Sequence, residues 1–317
     1  MLEHGSDYMA AAKQLSRDGY GEKKERKEID VDNVPAAQIL KVSDFRQRIY
    51  NFYTRPREAG YKTGLPILDK NLRLDRGFLT VVTGIPTHGK STFVDFLSMI
   101  FAKQHNWKWV VFSPENYPLE IHYHKLAELY HEAGMFGKER DQIDKAIDFI
   151  DSHYSFIDAT EDDICLDRLF TSVVDAGQSD GFVIDPWNEL ENTRPSNMNE
   201  SDFTGSCLRR LRKFSRKYNV ATILVAHPTK MRKIKDAEEY PVPSLYDISG
   251  SANFYNKADN GIVVYRDFEN GTTDIHIKKV KYRNYGSPTG KLDAIRYRFI
   301  PEYGGYEEIG TAENSNW

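Results

Sequence analysis

Apolar residues first recur at helical spacing at Val42, Phe45, Ile49 and Phe52, which puts a hydrophobic stripe on one face and predicts a helix. Residues 1–41 carry many charges and few large apolar side chains, and GEKKERKEIDVD at 21–32 reads as a solvated arm or linker. The globular domain is therefore expected over residues 42–317. Within it the period shortens. The runs FLTVVTG (78–84), KWVVFSPE (108–115), SFIDA (155–159), GFVIDPW (181–187) and ATILVAH (221–227) alternate with helical stretches. Such alternation predicts βαβ units, an α/β fold with a mostly parallel central sheet flanked by helices. Past Asn260, the runs NGIVVYRD, TDIHIKKVKYR and IRYRFIPEYGGY are separated by turn signals and predict a C-terminal antiparallel extension. A helix over 206–218 turns Leu208, Leu211 and Phe214 inward among six Lys and Arg residues; such a face is most often solvated or paired with acidic neighbours, and no site is assigned to it.

Composition narrows the partners. The 317 residues hold 43 Lys and Arg against 47 Asp and Glu, a net charge of −4, so any polyanion site has to be a local patch. Cys165 and Cys207 stand far apart, which excludes a disulfide framework or a cysteine-rich zinc site and points to a reducing compartment. No apolar run approaches the roughly 18 residues of a bilayer span, and the N-terminus lacks the apolar core of a secretory signal. The expectation is a soluble chain of the bacterial or phage-infected cytoplasm, ahead of the mitochondrial matrix, without a membrane partner.

Chemistry enters with GIPTHGKS, which fits G-x-x-x-x-G-K-[ST]. A strand runs into it and a helix runs out, so Gly84, Ile85, Pro86, Thr87, His88, Gly89, Lys90, Ser91 and Thr92 are expected to wrap the phosphates of a nucleoside triphosphate, with backbone N–H groups and a helix N-terminus converging on one anion. Lys90 would neutralise the β and γ phosphates, and the Ser91 hydroxyl would ligate Mg²⁺. A glycine turn before a helix is the bland alternative, and strand, loop and helix in this order disfavour it. His88 reads as a tolerated loop residue.

Hydrolysis needs a second carboxylate near the metal and a group that activates water. Asp185 ends the apolar strand GFVID at the carboxyl edge of the sheet, where ligands bind in such folds, and is the expected metal partner of Ser91. Glu115 closes VVFSPE at the same edge as candidate general base, and His227 closes ATILVAH where it can report the γ-phosphate. Taken singly, a strand-end Asp is often a helix cap, a loop Glu is often just exposed, and a lone His usually does nothing so specific. Their joint occurrence at the ends of successive strands is the stronger signal.

These segments, in this order, resemble the ring-forming replicative helicases with a RecA-like core, especially the phage primase-helicases and the mitochondrial Twinkle type. The resemblance covers about residues 42–300 and rests on TGLPILDK, GIPTHGKS, SPEN, IDPWNEL, VAHPTK, SLYDISGSANFYNKADNGIVV and VKYRNYGSPTG. It implies a RecA-like P-loop NTPase using Mg²⁺ with ATP or another NTP or dNTP, with Glu115 as catalytic base and His227 as γ-phosphate sensor. It also implies that Arg283 completes a neighbouring subunit's site, and that Lys281, two residues earlier on the same strand face, is a second basic group directed across the interface. The segment after His227, with Lys230, Arg232, Lys233 and Lys235, resembles the loop that meets single-stranded DNA in the ring's channel. Local charge supports that placement, although the residues alone leave a solvated surface run open.

The resulting expectation is an NTP-driven replicative DNA helicase, a homo-oligomer in the form of a hexameric ring, with single-stranded DNA and a primase domain or DNA polymerase as partners. Nothing in the chain resembles a primase, so it is expected to be a helicase-only member or the C-terminal part of a longer primase-helicase. The rivals are a RecA-like recombinase or regulatory DNA-dependent ATPase that does not unwind, and a nucleotide-binding replication scaffold.

Overall fold

The structure, a computed structural model, describes residues 38–54, 59–229, 231, 233, 240–248, 252–290 and 293–312. The chain divides into two compact units, Met1–Thr54 and Arg55–Trp317. In the first, a 3-10 turn at Val42–Phe45 leads into helix α1 (Arg46–Thr54), as the spacing predicts. Neither element buries a residue.

The second unit is built on one nine-stranded sheet. Its strands are β1 (Leu79–Thr83), β2 (Trp109–Phe112), β3 (Tyr154–Phe156), β4 (Gly181–Ile184), β5 (Ala221–Val225), β6 (Asn260–Asp267), β7 (Thr272–Val280), β8 (Ala294–Ile300) and β9 (Gly305–Ala312). They lie in the order β3-β2-β4-β5-β1-β6-β7-β8-β9. The six from β3 to β6 pair in parallel, and β7, β8 and β9 continue the sheet antiparallel.

Alternation along each central strand feeds two separate cores, as a parallel sheet covered on both faces requires. Val82, Trp109, Val111, Val183, Ile223 and Val225 face helices α3 (Lys90–His105), α4 (Leu119–His131) and α5 (Arg140–His153), together with the short α2 (Pro66–Asn71). Leu79, Val81, Val110, Phe112, Phe182, Ile184 and Leu224 face α6 (Leu166–Asp175), α7 (Glu200–Tyr218) and α8 (Ala252–Lys257). Three of the six basic residues of α7 meet acceptors in the fold: Arg210 pairs with Asp167, Arg212 donates to the Lys257 carbonyl, and Arg216 lies 3.2 Å from Asp259.

Three expectations need correction. The run NGIVVYRD is not part of the antiparallel extension on both sides, since β6 pairs parallel with β1 and antiparallel only with β7. IRYRFIPEYGGY is two strands, because the chain reverses through residues 301–304, where Gly304 takes φ 70°. Finally, β7 stops at Val280, so Lys281 lies beyond the strand and Arg283 opens a 3-10 turn, Arg283–Tyr285. The Lys281 N–H still continues the β6–β7 register by donating to the Asp259 carbonyl at 3.0 Å, and the chain then leaves the sheet as the Tyr285 N–H closes on the Tyr282 carbonyl at 3.0 Å.

His276 on β7 generates a pH dependence. Its Nδ1–H donates to the Asp293 carbonyl at 3.0 Å, and burial, then the Lys278 charge, pushes its pKa from 6.5 down to about 4. The unfolded chain therefore binds this proton near 6.5 and the folded chain only near 4, so the stability is present above 6.5 and lost as pH falls through that window. Acidifying from pH 7 to 5 should cost about 2 kcal/mol through this group. Urea unfolding at both pH values should show His276→Leu losing less stability than the parent by that amount; equal losses would clear His276 of the role.

Candidate functional site

The carboxyl ends of β2, β4, β5 and β1 are successive neighbours in the sheet, so the residues that follow them share one edge. β1 ends at Thr83, whose hydroxyl donates to the Ala226 carbonyl at 2.8 Å and ties the phosphate loop to the end of β5. Gly84 follows with no room for a side chain, because a Cβ there would meet the Val264 carbonyl oxygen of β6 at 2.2 Å. Gly89, at φ 88°, then turns the chain into α3, which has no side-chain cap. The first N–H groups of α3 therefore point unsatisfied at the loop's hollow, the arrangement that holds an anion at a helix N-terminus.

Lys90 is buried, and its Nζ donates to the Ile85 carbonyl at 3.2 Å, which folds the side chain back over the loop. Burial holds its ammonium below the ordinary value, opposed by the charges of Asp185 and Glu115. Asp185 is buried just past β4 and receives a hydrogen bond from the Ser91 hydroxyl. Burial, reinforced by Asp95 and Glu115, pushes its carboxyl up to about 6. Its Oδ1 has no hydrogen-bond partner and is shielded from solvent. A hydroxyl and an under-satisfied carboxylate oxygen side by side, short of positive compensation, are the donor set that would suit a divalent cation. Among the described residues no cluster of three or more His, Cys, Asp or Glu offers a self-sufficient metal cage.

Glu115 lies three residues beyond β2 in an exposed turn closed by Asn116 N–H to the Ser113 carbonyl at 3.1 Å. Its Oε1 is 3.6 Å from His227 Nε2, longer than a formed hydrogen bond and closed by a small rotation. Burial and then Lys90 lower the His227 pKa, with Glu115 opposing, so a neutral imidazole faces the site. Immediately beyond, Pro228 bridges Ile248, and the Thr229 N–H and hydroxyl both donate to the Asp247 carbonyl, at 2.7 and 2.9 Å. Of the basic residues after His227, Lys233 is exposed with its ammonium 5.8 Å from the Tyr240 ring centroid. Lys230, Arg232 and Lys235 lie outside the described residues.

Arg283 and Lys281 are elsewhere. Register places Val280 beside Asn260 and Asn260 beside Thr80, so both lie at the amino edge of β1, the opposite end from the phosphate loop. Lys281 is engaged within its own subunit, its Nζ 2.9 Å from Asp259. Arg283 is exposed and lines an open cavity of about 720 Å³ with Lys62, Lys70 and Arg73.

Two features escaped the sequence. His88 is built in: the Arg266 N–H donates to its Nδ1 at 2.9 Å, its ring packs against Tyr265 and Phe268, and burial, Lys90 and Arg266 push its pKa down to about 4. The Arg266 guanidinium lies 5.3 Å from the exposed Phe268 ring and 5.0 Å from Phe299, a cationic and aromatic surface beside the loop. The only signal for it was the pairing of Arg with aromatics in YRDF and RF. On α3, Asp95 bonds His122 of α4 at 3.0 Å behind Asp185, signalled by one carboxylate inside an apolar helix.

A glycine loop feeding an uncapped helix N-terminus at the carboxyl edge of a parallel sheet, with lysine, hydroxyl and carboxylate around it, defines a P-loop nucleotide-binding domain of RecA-like fold. The chain belongs to the AAA domain family, which it matches over residues 57–233. It is 30% identical over 271 residues to a Twinkle homolog protein, chloroplastic/mitochondrial, of Arabidopsis thaliana, an alignment covering 80% of the chain and 37% of that relative. Its fold is that of another solved ATPase domain, with a TM-score of 0.67 at 17% identity over 86% of the chain and 100% of the other. It is also that of a DnaB-like replicative helicase solved with its interactions with primase, with a TM-score of 0.66 at 16% identity over 95% and 72%. No helix among the described residues is long and apolar enough to cross a membrane.

The site separates binding from chemistry in two variants. Lys90→Ala should weaken triphosphate binding and abolish turnover, because nothing else in the loop supplies a buried cation. Glu115→Gln should bind a fluorescent triphosphate normally while turning over at least about 100-fold more slowly, since an amide takes no proton from water. If binding and turnover fell together in Glu115→Gln, the residue would be holding the loop and not acting on water.

Proposed function

We propose that this chain is the motor of an NTP-driven replicative DNA helicase, assembled as a ring in which each nucleotide lies between two subunits. The observation that carries this is the separation of the site across the sheet. Lys90, Ser91, Asp185, Glu115 and His227 meet at the carboxyl edge, while Arg283 is exposed at the amino edge of the same strand. A five-residue strand spans about 15 Å, too far for a side chain to cross. Arg283 therefore serves a nucleotide only if that nucleotide is a neighbour's, and its fixed charge then stabilises the phosphoryl-transfer transition state.

Ser91 and Asp185 would hold Mg²⁺, whose charge would offset that of the triphosphate. Lys90 swings from the Ile85 carbonyl to the phosphates. Glu115 orients and deprotonates water, and neutral His227 hydrogen-bonds the γ-phosphate in place of its contact with Glu115. Arg266 with Phe268 and Phe299 forms a stacking surface for the base. The basic segment from Lys230 to Lys235 tracks the phosphates of single-stranded DNA and shifts with His227 as the γ-phosphate leaves. The chain spans 37% of the Twinkle homolog it resembles, and hexameric assembly and contact with a primase or polymerase are part of the same proposal. The motor works in whichever compartment holds the replicating DNA. A helicase is favoured over a non-unwinding ATPase because the resemblance runs on past the nucleotide site to the segment that would meet DNA.

Two experiments test this. Replacing Lys230, Lys233 and Lys235 with Ala should weaken single-strand binding equally across sequences and reduce the salt slope by about one unit per lost phosphate contact; an unaltered slope puts DNA elsewhere. Arg283→Ala and Glu115→Gln proteins should each be inactive, yet regain part of the turnover when mixed, because some interfaces then hold an intact Glu115 and an intact Arg283. Full turnover by Arg283→Ala alone would end the shared-site mechanism and favour the scaffold or regulatory reading.

A further inference from the structure

We propose that Asp259 is the positioning residue for Arg283, and that it fastens the turn this subunit offers its neighbour to the strand carrying its own phosphate loop. The inference rests on the shared-site reading of Arg283. Asp259 precedes β6 and is fully buried. Its Oδ1 accepts from Lys281 Nζ at 2.9 Å and from Arg216 at 3.2 Å, and its Oδ2 accepts from the Leu79 N–H at 3.2 Å. Its main chain repeats both connections, with Asp259 N–H to the Leu79 carbonyl at 2.8 Å and Lys281 N–H to the Asp259 carbonyl at 3.0 Å. One residue thus joins the first residue of β1 to the second residue before Arg283.

The turn is gripped from other sides as well. Phe78, next to Leu79, stacks on Tyr282 at 5.5 Å and meets Tyr285 edge-on at 4.9 Å. The Ala59 N–H donates to the Asn284 carbonyl at 2.9 Å and the Arg73 N–H to the Tyr285 carbonyl at 2.8 Å. Gly286 then passes so close to the end of α2 that a Cβ would meet the Asn71 carbonyl oxygen at 2.2 Å. Arg283 is therefore an exposed side chain on a backbone held at nearly every residue around it.

A buried carboxylate shared by two cations is weak evidence for added stability, since desolvation consumes most of the attraction, while the geometry such a group imposes is specific. What Asp259 fixes is direction. The salt bridge holds Lys281 inside its own subunit, which leaves Arg283 as the group of the pair that reaches out. Because β1 runs from this clamp to Gly84, the arrangement also links a subunit's own nucleotide to the arginine it presents to the next.

The test uses Asp259→Asn, which keeps size and one acceptor, and Phe78→Leu, which loosens the same turn without touching a charge. Each should bind a fluorescent non-hydrolysable triphosphate normally and turn over about 10²-fold more slowly, the loss expected when a catalytic group is displaced by about 1 Å. Each should recover turnover when mixed with Glu115→Gln subunits, whose intact turn then serves the Asp259→Asn site. The double variant Asp259→Asn with Arg283→Ala should be no slower than Arg283→Ala alone. Weakened nucleotide binding without recovery on mixing, or parental turnover in both variants, would overturn the assignment. Full turnover by Arg283→Ala in a protein with intact Asp259 would instead remove the shared-site reading beneath it.

Discussion

β1 is hydrogen-bonded to β5 on one side and to β6 on the other, and all five of its residues are buried. A strand held this way cannot shift or tilt without breaking two ladders and opening both cores, so its ends are fixed points. The loop that leaves its carboxyl end inherits that rigidity, which is reinforced where Gly84 presses against the Val264 carbonyl. β5 beside it and β4 beyond inherit it too, since they present His227 and Asp185 at heights set by the register of β5 on β1 and of β4 on β5. The geometry of the nucleotide site is thus a property of the sheet more than of any loop.

What the sheet assembles is electrostatically incomplete. Burial drives Lys90 toward its neutral form and Asp185 toward its protonated form, and each partly offsets the other. Desolvated groups of opposite charge that are not in contact favour a ligand carrying both signs. A triphosphate bound with a cation would set negative oxygens against Lys90 and the uncapped N-terminus of α3 and positive charge against Asp185, which would relieve both strains at once. Burial lowers the pKa of both His88 and His227, so neither adds positive charge to the site at neutral pH.

Whatever depends on short stretches of chain was legible in the sequence. Strand, loop and helix around GIPTHGKS are contiguous, and the polar residues after β2, β4 and β5 follow apolar runs whose period is plain. The misses share a different character. The reversal at 301–304 lay hidden because aromatics continue through it, so one apolar run concealed β8 and β9. Arg283 was read onto a strand because VKYR alternates like one, whereas the ladder with β6 runs only as far as Asp259, some twenty residues earlier, and the chain past Lys281 closes a 3-10 turn. His88 looked incidental because the group that holds it, the Arg266 N–H, is 178 positions away. Pairings of that range leave no periodicity to find.

The end of β5 is tied closely to the chain that follows it. His227 is followed at once by the bridge from Pro228 to Ile248 and by the two bonds from Thr229 to Asp247, so both ends of the intervening segment are fastened within two residues of the imidazole. The far end is braced in turn, since Asp247 accepts from the Ser244 N–H and hydroxyl at 2.6 and 2.8 Å. His227 itself stands 3.6 Å from Glu115, a spacing at which neither group satisfies the other. Its Nδ1 is buried without a partner, so the ring is not locked from behind. The imidazole therefore stands unpaired at Nδ1, between Glu115 and a pair of bonds that close within two residues of it. Because β5 is paired with β4 and with β1, the backbone that carries this side chain is fixed on both sides, so what freedom the site keeps there belongs to the side chain.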